Sequence, residues 1–288
     1  MAKKENYIDL GERGKYNKNN KLNNLTGKEW IKFSKTWFIH TPPRRNNDEI
    51  LHPAKYPESL VSEFINFFTK KNDWVLDPFL GTGSTLIAAG GLFRNAFGIE
   101  LNKGYFNIAD KRIKKNNYKN KIIAFNGNSL NTSAIVIKSF SKRKKFDYII
   151  TSPPYWNQLE RNSMRQKSRN ENGLDTKYSN SVDDIGNIMS YEEFLEAQAK
   201  IFDAVYDVTR ENAYLTIITN NIYYKSKLYP LAFDTANSLT KRGKKSWVLK
   251  DEKVWLQNDK PLIALGVNSA WVGNRHHQYC LIFRKENS

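Results

Sequence analysis

With one cysteine among its 288 residues the chain cannot form an internal disulfide, which fits a reducing compartment. The four histidines and that cysteine show no zinc-ligand spacing, so a metal-free protein is expected. No apolar run is long enough to span a bilayer, and the Met-Ala-Lys-Lys-Glu start is not a signal peptide; a cytoplasmic protein is the expectation. Acidic residues are also short: 29 Asp and Glu stand against 46 Lys and Arg, giving a net charge of +17. Such an excess calls for a polyanionic partner, nucleic acid before an anionic membrane surface. The length suits one elaborated domain with a sizeable core better than two independent ones.

What is present centres on Trp74-Val75-Leu76-Asp77-Pro78-Phe79-Leu80-Gly81-Thr82-Gly83-Ser84-Thr85. This reads as a buried strand, a tight glycine turn and the start of a helix. Gly81 and Gly83 lack a Cβ, so the backbone can turn sharply and approach a ligand closely. The helix behind them offers free N–H groups and a positive dipole end. Phe97-Gly98-Ile99-Glu100 reads as a second strand ending in an acid, at the spacing from the glycines where a dinucleotide fold places its ribose-binding carboxylate. A nucleoside-bearing cofactor is expected here.

A second stretch carries the chemistry. The apolar strand Phe146-Asp147-Tyr148-Ile149-Ile150 runs into Thr151-Ser152-Pro153-Pro154-Tyr155-Trp156. Two prolines fix φ, remove two N–H donors and stop both helix and strand. The result is a rigid turn showing carbonyl acceptors, the hydroxyl of Ser152 and an exposed ring at Tyr155. Acceptors with a ring suit a flat, amino-bearing base.

Together, Asp77-Pro78-Phe79-Leu80-Gly81-Thr82-Gly83 and Thr151-Ser152-Pro153-Pro154-Tyr155 resemble the S-adenosylmethionine-dependent DNA amino-methyltransferases, which modify cytosine N4 or adenine N6. The resemblance spans the chain from about His52 onward. It implies a class I methyltransferase α/β fold, with a mostly parallel seven-stranded sheet, one antiparallel strand and helices on both faces. It implies cofactor contacts from Asp77, Pro78, Phe79, Gly81, Gly83, Ser84, Thr85 and Glu100. Asn128 stands where the family usually has an acid for the adenine amino group, a role that its side-chain carbonyl can fill. Lys55, in a His-Pro segment, is a candidate for the methionine end of the cofactor. Ser152, Pro153, Pro154 and Tyr155 become the catalytic turn, and the Ser-Pro-Pro-Tyr form is the one associated with cytosine N4.

Residues 1–50 form a basic N-terminal extension to a catalytic domain at 51–288. Its Trp30–Phe38 stretch either touches DNA or is a peripheral segment pinned by Trp37 and Phe38; Arg44 and Arg45 lie in a loop. Between residues 157 and 187 no hydrophobic period exists. Arg161, Arg165, Lys167 and Arg169 alternate there with polar residues, marking a DNA-contacting loop. A C-terminal loop at 257–277 carries Asn274 and Arg275, residue types that read base edges.

The expected function is therefore transfer of a methyl group to cytosine N4 in double-stranded DNA, on a base swung out of the helix, beside a cognate restriction endonuclease as the family suggests. Adenine N6 methylation uses the same architecture. An RNA guanine methyltransferase and a non-catalytic DNA-binding module are the more distant alternatives. Cytosine C5 chemistry is excluded, because it needs a nucleophilic cysteine and the chain's only one, Cys280, sits in an apolar strand.

Overall fold

The computed structural model describes residues 6–41, 56–141, 143–156 and 181–286. In chain order these form β1 (Tyr7–Asp9), β2 (Lys15–Asn17), α1 (Gly27–Phe33), β3 (Trp37–Ile39), α2 (Glu58–Phe68), β4 (Trp74–Asp77), α3 (Ser84–Gly91), β5 (Asn95–Glu100), α4 (Lys103–Lys115) and β6 (Ile122–Asn126). Then follow α5 (Thr132–Phe140), β7 (Phe146–Thr151), α6 (Tyr191–Val208), β8 (Thr209–Thr219), β9 (Ile222–Tyr224), β10 (Lys227–Tyr229), α7 (Leu231–Leu239), β11 (Val248–Leu256) and β12 (His277–Arg284).

The central sheet runs β3-β11-β12-β8-β7-β4-β5-β6. Strands β4 to β8 are mutually parallel, and β12 is antiparallel to both neighbours, β8 and β11. From β4 the chain winds outward through β5 and β6, then returns to the other side of β4 for β7 and β8. The order reverses between β4 and β7, so a crevice opens there beyond the carboxyl ends of the strands. This is the expected class I methyltransferase sheet with one strand more. The eighth is β3, which pairs parallel to β11 at Trp37↔Val254 through Ile39↔Leu256.

Period-two alternation on strands covered on both faces creates the two halves of the core. Leu76, Ile149, Ile217 and Phe283 face α5, α6 and α7, packing with Val136, Phe194, Phe202 and Leu239. Their chain neighbours Val75, Ile150, Ile218 and Ile282 face α2 and α3, packing with Leu60, Phe64, Leu86 and Ala89. Each such side chain, fully removed from water, contributes roughly 1.5–3 kcal/mol before entropy is counted. A one-residue slip in any central strand would exchange the two faces.

The N-terminal extension is more ordered than the sequence reading expects. Residues of the N-terminal extension supply a hairpin, a helix and the sheet's edge strand. In α1, Thr26 and Glu29 form a reciprocal capping box, and Phe33 stacks on Phe67 at 4.0 Å. Short polar stretches hide such elements, because three-residue strands carry too little pattern to register. Helix α7 begins at Leu231, directly after the hairpin of β9 and β10, with Pro230 at the N-cap position. Among the described residues no helix is long and apolar enough to cross a membrane.

Candidate active site

The topology brings the ends of β4, β5, β6, β7 and β8 to one edge of the sheet, and a cleft of about 790 Å³, counted to its open mouth, lies there. Pro78, Phe79, Gly81 and Ser84 line it from the glycine turn, Glu100 from β5, Asn128 from the end of β6, and Ser152 and Pro154 from the proline turn. The two motifs thus meet in one cavity although about 70 residues separate them.

The glycine turn is built by left-handed backbone at Gly81 (φ 56°) and Gly83 (φ 93°), a region that glycine enters without steric cost. A Cβ on Gly83 would also press on Ala109 of α4 at 3.1 Å. Glu100 holds the turn from beside: its Oε2 accepts from the Gly81 amide at 2.7 Å and its Oε1 from the Asn102 amide at 2.8 Å. Each oxygen keeps a further lone pair, so the carboxylate retains two acceptor sites, as a vicinal diol would need. Burial pushes Glu100 up to about 8, against the pull of those two amides.

Asp77 sits behind the cleft. Its Oδ1 accepts from Thr151 Oγ1 at 2.6 Å and from the Phe79 amide at 3.0 Å; its Oδ2 accepts from the Tyr56 hydroxyl at 2.7 Å and from Thr85 Oγ1 at 2.5 Å. Four donors occupy a fully buried carboxylate, so Asp77 and Thr85 act as the frame that ties β4, α3 and the proline turn together. Burial raises the Asp77 carboxyl, and the four donors counter that rise only in part.

Two hydroxyls at the glycine turn, Thr82 Oγ1 and Ser84 Oγ, are buried without a hydrogen-bond partner among the described residues. Both residues line the cleft at the N-terminal end of α3. Orphaned buried polar atoms are rare in finished structures. Together with the apolar surfaces of Phe79, Ile185 and Ile201 and the Glu100 carboxylate, they fit a ligand with a flat base, a sugar and a polar tail. Asn128 faces the cleft with its Oδ1 accepting from the Leu130 amide at 2.9 Å.

Several cleft residues were not legible as site residues. Tyr56, Tyr105, Ser129, Asp183, Asp184 and Ile185 all line it. The last three come from the stretch assigned to DNA contact. Asp184 is buried, accepts from the Gly186 amide at 2.9 Å, and is raised by burial. The adjacent carboxylates in front of Ile185-Gly186 were the available signal, masked by the basic residues before them.

The proline turn departs from expectation at one residue. Tyr155 is not an exposed ring: it is 6 % exposed. Its hydroxyl lies 3.2 Å from Ser152 Oγ and donates to Gln278 Oε1 at 3.1 Å. The physical reason is β12, whose antiparallel course brings its first residues past the turn. Trp156 is buried as well, donating from its indole to the Met189 carbonyl at 3.1 Å and packing on Tyr191 and Tyr229. Beside the turn, at the end of β8, Thr219 Oγ1 and Asn220 Oδ1 are buried without a partner among the described residues.

In the C-terminal loop the Asn274 amide is committed within the loop: it accepts from the Ile263 amide at 3.0 Å and donates to the Ile263 carbonyl at 2.8 Å. Arg275 lies over the Tyr223 ring at 5.1 Å, and Trp271 is 91 % exposed. Lys55, Arg161, Arg165, Lys167 and Arg169 lie outside the described residues. Among the described residues no group of His, Cys, Asp and Glu is placed to hold a metal ion. Cys280 is fully buried with its thiol pushed up to about 12, far from a thiolate nucleophile.

Comparison with known proteins gives a family match at residues 2–111, to the family described as DNA methylase. The match starts well before His52 and ends before the proline turn. The type II methyltransferase M.BglI of Bacillus subtilis is 36 % identical over 92 residues, 32 % of this chain and 26 % of that protein. M.MthZI of Methanothermobacter thermautotrophicus is 45 % identical over 62 residues, 22 % of this chain and 18 % of that protein. M2.LlaDCHI of Lactococcus lactis is 44 % identical over 64 residues, 22 % of this chain and 24 % of that protein. The matched stretches span about a quarter or less of each relative's length.

Proposed function

We propose that the chain is a DNA amino-methyltransferase, as the family match at residues 2–111 and the partial likeness to type II methyltransferases support, and that it methylates the exocyclic N4 of cytosine in double-stranded DNA. The observation that carries the proposal is the single cleft lined by the glycine turn, Glu100 and Ser152. A cofactor held by the first two would share that cleft with the third.

S-adenosylmethionine, the family's cofactor, supplies an electrophilic methyl group. In this chain Glu100 would take the ribose hydroxyls, Asn128 and Asp184 the adenine side, and the turn around Gly81–Ser84 the polar tail. Lys55 remains a candidate for the methionine carboxylate. The target base must leave the helical stack to reach the cleft. Ser152 and the Pro153 carbonyl would accept from its amino group, leaving the nitrogen lone pair aimed at the methyl. Since that pair is otherwise delocalised into the ring, orientation is the main contribution the protein makes. No covalent enzyme intermediate is required.

The net charge of +17 supports DNA as the substrate. Arg161, Arg165, Lys167, Arg169 and Arg275 are proposed to contact it, with Asn274 shaping the loop that presents Arg275. The names of the relatives, type II methyltransferases, support a place in a restriction-modification system with a cognate endonuclease.

Nucleoside mass spectrometry of DNA from cells expressing the protein, beside a Ser152→Ala control, tests the proposal. N4-methylcytosine that disappears in the control is the expected result. N6-methyladenine instead would move the assignment to adenine, and neither mark would defeat the DNA reading.

A further inference from the structure

A serine hydroxyl both donates and accepts, which makes Ser152 an ambiguous partner for an amino group. If its proton pointed into the cleft it would oppose the N–H groups of a substrate base. Something must turn that proton away, and the residues beside the turn do so.

Ser152 Oγ and the Tyr155 hydroxyl are 3.2 Å apart, and the Tyr155 hydroxyl lies 3.1 Å from Gln278 Oε1. An amide oxygen has no proton and can only accept. Tyr155 has a single hydroxyl proton, and it goes to Gln278. Toward Ser152 the Tyr155 oxygen is then an acceptor, so the Ser152 proton turns to Tyr155. The remaining Ser152 lone pairs are left for the cleft that Ser152 lines.

We infer that Gln278 is a positioning residue which, through Tyr155, fixes Ser152 as a hydrogen-bond acceptor for the substrate amino group. The inference rests on the amino-methyltransferase reading above. The fold explains how a residue so late in the chain reaches the turn. Because β12 runs opposite to β4 through β8, its N-terminal end lies at their carboxyl ends. Gln278 is the residue immediately before β12 begins to pair with β8, at Tyr279↔Thr219. On its other side it is held by register with Trp255 of β11. The Tyr155 hydroxyl, between Gln278 and Ser152, transmits the polarity.

The test is a double-mutant cycle in the full-length protein, read as single-turnover methylation of duplex DNA. Gln278→Met keeps the length of the side chain and removes the acceptor; Tyr155→Phe removes the hydroxyl; Gln278→Glu keeps an acceptor. Gln278→Met and Tyr155→Phe should each slow methylation by roughly tenfold, the kinetic equivalent of one lost hydrogen bond. The double variant should be no slower than either single one, since both break the same relay. Gln278→Glu should stay within about twofold of the parent. S-adenosylmethionine affinity by calorimetry and the unfolding midpoint should be unchanged in Gln278→Met. Additive losses, an unaffected rate in Gln278→Met, or a loss of cofactor affinity in that variant each overturn the inference. A parent protein that methylates neither cytosine nor adenine overturns the reading on which it rests, and the relay falls with it.

Discussion

The Thr151 hydroxyl donates to Asp77 Oδ1 at 2.6 Å, and this bond joins the strand that leads into the glycine turn to the strand that leads into the proline turn. Both groups are fully buried, so the contact sits below the cleft and sets the spacing of its two walls. Replacing Thr151 by Val removes one of four donors from a carboxylate that has no water to fall back on. The expected cost is about 1–3 kcal/mol of stability, measured as a lower urea midpoint with an unchanged slope. An unchanged midpoint would show that the other three donors suffice.

Glu100 gives a pH dependence whose sign follows from its burial. Its carboxyl is raised from 4.5 to about 8 in the folded chain. The unfolded chain therefore releases this proton first as pH rises. The stabilisation it contributes is fully present below about 4.5 and is lost as pH rises through about 8. Ribose hydroxyls, as donors, prefer the ionised form, so S-adenosylmethionine affinity should rise through the same region and level off above it. Calorimetric titrations between pH 6 and pH 9, roughly bracketing that transition, check this beside Glu100→Gln. A parent affinity that is flat with pH would remove Glu100 from the ribose site.

Asp184 offers a separate test of the cleft, because it comes from a segment that the family match at residues 2–111 does not reach. Asp184→Ala should weaken S-adenosylmethionine binding by roughly tenfold, the loss of one hydrogen bond to a charged group. Asp184→Asn, which keeps the acceptor for the Gly186 amide, should lose less. Equal, negligible losses in both would make Asp184 a loop-shaping residue only.

Much of this arrangement could be read from the chain before any coordinates. The apolar runs at Trp74–Leu76 and Phe146–Ile150 announced themselves because strands buried on both faces need continuous hydrophobicity. The glycines and prolines that end them are punctuation with a steric cause. The positions of Glu100 and Ser152 at strand ends that line one cleft were legible in the same way. The positions of Asp184 at the cleft and of Gln278 beside Tyr155 were not legible, since they depend on which segments the fold lays together, and no local pattern encodes that. Tyr155 was misjudged for a related reason: its neighbours in sequence suggested an exposed ring, while its burial comes from a strand more than a hundred residues later. Asp77 was expected at the cofactor; in the fold its buried carboxylate is held by four donors from the protein itself.

The short strand β3 has a consequence for colloidal behaviour. It satisfies the outer backbone groups of Val254–Leu256, while the buried Lys253 ammonium donates to the Phe33 and Lys35 carbonyls. A chain trimmed to begin near residue 52 would keep both motifs and lose this cover. Its β11 would then offer a row of unpaired N–H and C=O groups beside an uncovered apolar surface, the template on which strands of separate molecules add to one another. The first forty residues serve the sheet as an edge guard, and their removal would show as self-association before it showed as lost chemistry.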